Sequence, residues 1–253
     1  QPVVDGRSFG PSITMADNTT VKGFYVQNTD LGGPSRPVLI TGLPLTETRR
    51  VGIFGNDATG LTVEQNTVAG THSGALFLRN GSFDLMFAGN LVAHNTGPGV
   101  EVEGINGDAF TARFDGNSIL RNENVGLLIT SVLVGEARVQ VQDCDIRYND
   151  LNGLEVRLNS ITGDADLSVF GSRITGNGDH GIYFGVMAFP GPGDASIVIG
   201  ESQIVNNGNQ WEVEGFGMTG TGHASIVWHH FWPSSFSLSL MTFGGTASFD
   251  VTP

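Results

Sequence analysis

The chain has 253 residues, a net charge of −13 and one lysine, Lys22, among its 12 cationic side chains. So acidic a chain is a poor match for nucleic acid, which is bound by clustered cations. Without a run of 18 apolar residues it is not expected to insert into a membrane. One cysteine, Cys144, excludes an intrachain disulfide framework and a CxxC metal site. With 37 glycines, 10 prolines and only 15% charged residues, the composition is that of a turn-rich, strand-rich globular protein.

Residues 1–50 read as an N-terminal coil with an insertion. Val3-Val4-Asp5-Gly6 and Ile13-Thr14-Met15 are short strands, with no signal-peptide pattern before them. Residues 20–28 form a first coil segment, and Gly32, Gly33, Pro34, Pro37 and Pro44 mark residues 29–50 as the insertion.

Residues 51–215 repeat. Asn95, Asn122, Asn149, Asn177 and Asn207 recur at intervals of 27, 27, 28 and 30 residues, and Gly99, Gly126, Gly153 and Gly181 stand four places after the first four. A second series keeps step: Gly107-Asp108-Ala109, Gly135-Glu136-Ala137, Gly163-Asp164-Ala165, Gly193-Asp194-Ala195. A period of this length means stacked units that share one core. Each unit divides into three short strands. One follows the Gly-Asp-Ala signal and points Val139, Val141, Leu167, Val169, Ile197 and Ile199 inward; a second carries Val68, Val92, Ile119, Ile146, Ile174 and Ile204; a third opens on Gly-[IL]. No 3.6-residue periodicity leaves room for helices. A single domain is expected, its asparagines stacked as a ladder and its closing strands in residues 216–253. There the aromatics of Trp228-His229-His230-Phe231-Trp232 seal the open end.

The string N-x-I-x-x-N-x-x-x-G-[IL], present at 117–127 and, with Cys144 and Ser172 in first place, at 144–154 and 172–182, resembles the repeat of the pectate-lyase-like superfamily. The resemblance implies an all-β fold, a single-stranded right-handed parallel β-helix of about seven to eight coils. It also directs attention to the Gly-[IL] strand face, where polygalacturonase-like members of that superfamily carry their catalytic residues. On or beside that face stand Glu101, Glu103, Glu155, Arg157, Tyr183, Glu212, Glu214 and Arg79, and just before its strands Asp179 and His180. Asn28-Thr29-Asp30 and Gly178-Asp179-His180-Gly181 imitate two polygalacturonase motifs, with no Asp-Asp pair between them.

The expected function is that of an extracellular or cell-surface protein binding or processing a polysaccharide, as a lyase, hydrolase or epimerase. Glu101, Glu155, Asp179, His180 and Arg157 are the catalytic candidates, because such chemistry needs a titratable pair and, for a uronate, a cation. Arg79, Glu103, Tyr183 and Glu212 are the candidate substrate contacts. Asp108, Glu136, Asp164 and Asp194 form an acidic column for which calcium is the candidate cofactor. The competing expectation is a non-catalytic structural or adhesive solenoid, a segment of a longer surface protein or filament that associates end to end.

Overall fold

The computed structural model describes residues 2–5, 12–27, 51–230 and 235–252, with the backbone alone for Asp5, Ser73, residues 76–80 and Thr252. The expected insertion at 29–50 and the aromatics Phe231 and Trp232 lie outside the described residues, as does Asn28-Thr29-Asp30.

The described chain winds as a parallel β-solenoid of about seven turns, with no helix among the described residues. Each coil visits three sheets in turn. Sheet 1 stacks eight three-residue strands from Val3–Asp5 to Gln203–Val205; sheet 2 stacks nine from Ile13–Met15 to Phe236–Thr242; sheet 3 stacks nine from Thr20–Lys22 to Thr246–Thr252. One coil runs Leu127–Val132 in sheet 2, Glu136–Gln142 in sheet 3 and Asp145–Arg147 in sheet 1 before returning to sheet 2 at Leu154–Ser160. Residues 27 to 31 apart therefore become neighbours about 4.8 Å apart, and one residue type can form a column.

The columns explain the core. Ile119, Ile146, Ile174 and Ile204 lie one above another, all fully buried, and the inward set Val139, Val141, Leu167, Val169, Ile197 and Ile199 is buried as its alternation requires. Phe83 stacks on Phe110 with ring centroids 5.4 Å apart. Each such buried side chain contributes about 1.5–3 kcal/mol, and one core cluster runs from Met15 to Trp228. At the C-terminal strands that cover is thinner. Phe236, Phe249 and Val251 continue inward columns yet are 41%, 46% and 37% exposed, and Phe236 and Phe249 pack edge-on against the buried Trp228.

Two bends per coil are built alike. A left-handed residue turns the chain, and the next side chain points inward and bonds along the axis. Gln65, Gly89, Gly116, Asp143, Gly171 and Glu201 precede Asn66, Asn90, Asn117, Cys144, Ser172 and Ser202; His94, Arg121, Tyr148, Gly176 and Asn206 precede Asn95, Asn122, Asn149, Asn177 and Asn207. In the second ladder each asparagine Oδ1 accepts both the backbone N–H and the side-chain amide of the asparagine one coil earlier. Asn122 donates to Asn149 at 3.1 and 2.8 Å, and Asn149 to Asn177 at 3.1 and 3.0 Å.

The ladder also accounts for the glycine four residues on. A Cβ on Gly126 would lie 2.6 Å from Asn149 Nδ2 and 2.7 Å from the Gly153 carbonyl oxygen, and Gly153 meets the same pair one coil later. The Asn-x-x-x-Gly string thus encodes one packing unit, an amide and the space it occupies.

One series departs from its expected register. The Gly-Asp-Ala signals at 107 and 135 are 28 residues apart, but these two coils stack at 27, pairing Ala109 with Glu136 and Phe110 with Ala137. Asp108 therefore falls outside the column that Glu136, Asp164 and Asp194 share. The extra residue is absorbed where Leu133 turns left-handed before the buried Val134.

Candidate functional site

On sheet 2 the side chains at alternate positions face solvent, and parallel pairing lines them into columns. One outward column reads Glu101, Leu128, Glu155, Tyr183, Glu214, Ser237; its neighbour reads Glu103, Thr130, Arg157, Gly185. Glu101 stands two rungs from Glu155, as the spacing predicts, but Leu128 intervenes. Glu155 has a second acid two rungs away in the other direction, Glu214, with Tyr183 between them.

Around that second pair the polar groups converge. The Arg157 guanidinium pairs with Glu155 Oε1 at 2.5 Å and lies 5.9 Å from the centroid of the Tyr183 ring, in cation–π reach. Asn152 Nδ2 donates to Glu155 Oε2 at 2.9 Å, while Asn152 Oδ1 accepts the backbone N–H of His180 at 3.1 Å. Since that N–H can only donate, it fixes which end of the Asn152 amide faces Glu155. Both of these partners of Glu155 are donors, so it presents a carboxylate.

His180 is the second anchor, with only 10% of its side chain exposed. Its Nδ1 lies 3.2 Å from Asn152 Oδ1 and 3.2 Å from Asp179 Oδ1, both acceptors, so Nδ1 carries a hydrogen. Its Nε2 lies 2.7 Å from Glu214 Oε2. With Nδ1 protonated, that short contact requires a second proton between imidazole and carboxyl, whichever of the two holds it. Asp179 is held in turn by Asn209 Nδ2 at 2.5 Å. The His180 ring packs 5.6 Å from that of Tyr183.

Of the predicted catalytic residues, the fold gathers Glu155, Arg157, Asp179 and His180, with Tyr183, on three neighbouring coils; Glu101 and Glu103 stand further along the same face. The side chain of Arg79 lies outside those described. Glu212 does not face outward. It is 5% exposed and bonds Asn207 Nδ2 at 2.5 Å, terminating the asparagine ladder where the next coil supplies no amide. Sequence reading missed Asn152 and Asn209 and gave Glu214 no role. The column Glu155, Tyr183, Glu214 was the signal available for the last.

The predicted calcium column is otherwise engaged. Asp164 Oδ1 accepts the Asp194 amide at 2.9 Å and Asp194 Oδ1 accepts the His223 amide at 2.6 Å, each one coil on, while Arg138 bridges Glu136 and Asp166 at 2.9 and 3.2 Å. Burial raises the Asp166 carboxyl above its usual range against the opposing pull of Arg138. Asp108 stands out of register, so Asp108, Glu136, Asp164 and Asp194 do not form one column. Among the described residues no group of three or more His, Cys, Asp or Glu side chains is arranged as metal ligands.

No family model, curated protein or solved structure matches this chain.

Proposed function

We propose that the outer face of sheet 2 binds a polysaccharide outside the cell or at its surface, and that Glu155 and Glu214 hydrolyse it. The observation that carries this reading is the contrast between two acids of one column. Glu155 is a carboxylate between two donors, whereas Glu214 shares a proton with His180. Two rungs of strand spacing separate them by about 9.6 Å, close to the roughly 6.5–9.5 Å between carboxyls at which inverting glycosidases admit a water.

In this mechanism Glu155 takes a proton from water as its oxygen bonds to the anomeric carbon. The proton between His180 and Glu214 passes to the glycosidic oxygen as that C–O bond breaks. Asn152 and Asp179 hold His180 in the donating tautomer, Tyr183 lines the floor between the acids, and the exposed donors of Arg157 meet a sugar carboxylate. The coil repeat supports kinship with the pectate-lyase-like superfamily, whose members use the same face.

The test is incubation with a panel of neutral and uronic polysaccharides, reading new reducing ends and, separately, the ultraviolet absorbance of unsaturated uronides. Hydrolysis gives the first without the second. Absorbance growing with every new end would replace hydrolysis by elimination, and no product from any polysaccharide would remove the enzyme reading.

A second reading draws on the exposed core positions Phe236, Phe249 and Val251: a structural or adhesive solenoid that associates through this end. Light scattering across a hundredfold range of concentration separates it, since a constant monomer mass contradicts it.

A further inference from the structure

A different face of the solenoid carries a second, independent arrangement. On sheet 1 the outward side chains are small in the middle coils, Thr67, Ala69 and Ala93, and large at either end, leaving an open groove of about 590 Å³. Tyr25 closes one end and Leu120 with Tyr148 the other, four rungs away, roughly 19 Å by strand spacing. Leu91 adds apolar floor at 38% exposure.

The rim is polar and cationic. His94, Arg121 and Tyr148 occupy the same left-handed position in three successive coils, with φ of 58°, 53° and 56°. Fold geometry therefore lines their side chains along one edge of the groove. Arg147 is neutralised by Asp145 at 2.8 Å, as an ion pair rather than an aligned hydrogen bond, and lies 5.6 Å from the Tyr148 ring centroid. Arg121 has no acidic partner among the described residues, nor does His94. Tyr148 is half exposed yet fixed, because its ring packs where Gly176 of the next coil lacks a Cβ: one placed there would come within 2.6 Å. Two of the chain's three tyrosines and an unpaired arginine thus line one groove in a molecule of net charge −13.

We infer that this groove binds an anionic oligosaccharide, separately from the acids of sheet 2. The apolar floor and the two tyrosines suit the C–H faces of sugar rings. Arg121 and the tyrosine hydroxyl suit a carboxylate or sulfate and its neighbouring hydroxyls. The length of the groove suits an extended chain of several sugars rather than one. The site would hold a long polymer against the solenoid whichever reading of sheet 2 is correct.

Amide chemical-shift titration of the folded chain tests this, with tetragalacturonate, a sulfated oligosaccharide of equal length, cellotetraose and hexaglutamate as probes. The expected result is that one or both anionic sugars move the amides of His94, Leu120, Arg121 and Tyr148, and the tighter of the two names the acid group. Arg121→Asn and Tyr148→Asn, chosen because asparagine tolerates the left-handed backbone, should each weaken those shifts about fivefold or more and leave any shifts at Glu155 and Tyr183 unchanged. The assignment is overturned if these amides stay still, if cellotetraose or hexaglutamate moves them as strongly, or if neither variant changes the affinity.

Discussion

His180 Nε2 lies 2.7 Å from Glu214 Oε2, joining the turn before one sheet 2 strand to the middle of the next. Because both acceptors near Nδ1 hold a hydrogen there, this contact stores one proton at the surface of a face otherwise lined by carboxylates. His180→Gln keeps a side chain able to bond Asn152 but removes the shared proton. Cleavage should fall about 10²-fold or more, the usual scale for losing a proton-transfer group, and the acid limb of the pH–rate profile should change shape. An unaltered rate would remove His180 from the mechanism.

Asn122→Ala removes an amide that donates to Asn149 and an oxygen that accepts twice from Asn95. The orphaned buried groups should cost about 1–3 kcal/mol each, lowering the urea midpoint at unchanged slope. Gly126→Ala should be at least as damaging, since the added carbon meets the Asn149 amide and a backbone carbonyl. Chemical denaturation of both variants checks the pair, and a neutral Gly126→Ala would contradict the packing unit described above.

Glu212→Ala separates a ladder terminus from a substrate contact. Loss of the bond to Asn207 should lower stability by about 1–3 kcal/mol and leave cleavage per folded molecule unchanged. A variant of normal stability with poor substrate affinity would return Glu212 to the binding face.

Much of this was legible in the sequence, for a physical reason. A solenoid repeats its contacts coil by coil, so the asparagines, the glycines that make room for them and the inward Val and Ile positions all recur at one spacing. The errors fall where that periodicity carries no information. Asp108 looked in register because its turn has the same letters as the next, but Leu133 and Val134 absorb a residue that only strand pairing reveals. Glu212 and Glu214 flank the inward Val213 and so both read as outward, yet one ends the ladder and the other meets His180. Asn152 was hidden because its role depends on a backbone N–H 28 residues away.

Burial pushes the Cys144 thiol up to about 11 from the ordinary 9.0. Above pH 9 the unfolded chain loses this proton while the folded chain keeps it, so stability should fall as pH rises from about 9 to 11, by up to roughly 1.4 kcal/mol per unit of difference. Cys144→Ser places in this coil the residue that the next two coils carry, Ser172 and Ser202, and should remove that alkaline slope. Unfolding at pH 7, 9 and 10.5 measures it; identical slopes in both proteins would contradict the assignment. The native thiol should also resist alkylation at pH 8 until the chain is unfolded.

The most direct test of the account is the rate of reducing-end release by Glu155→Gln and Glu214→Gln, on whichever polysaccharide the wild-type protein cleaves. Both exchanges keep the shape of the side chain and remove its proton chemistry. The account predicts that each lowers the rate about 10²–10⁴-fold while the polysaccharide still binds. Wild-type rates in either variant would contradict it.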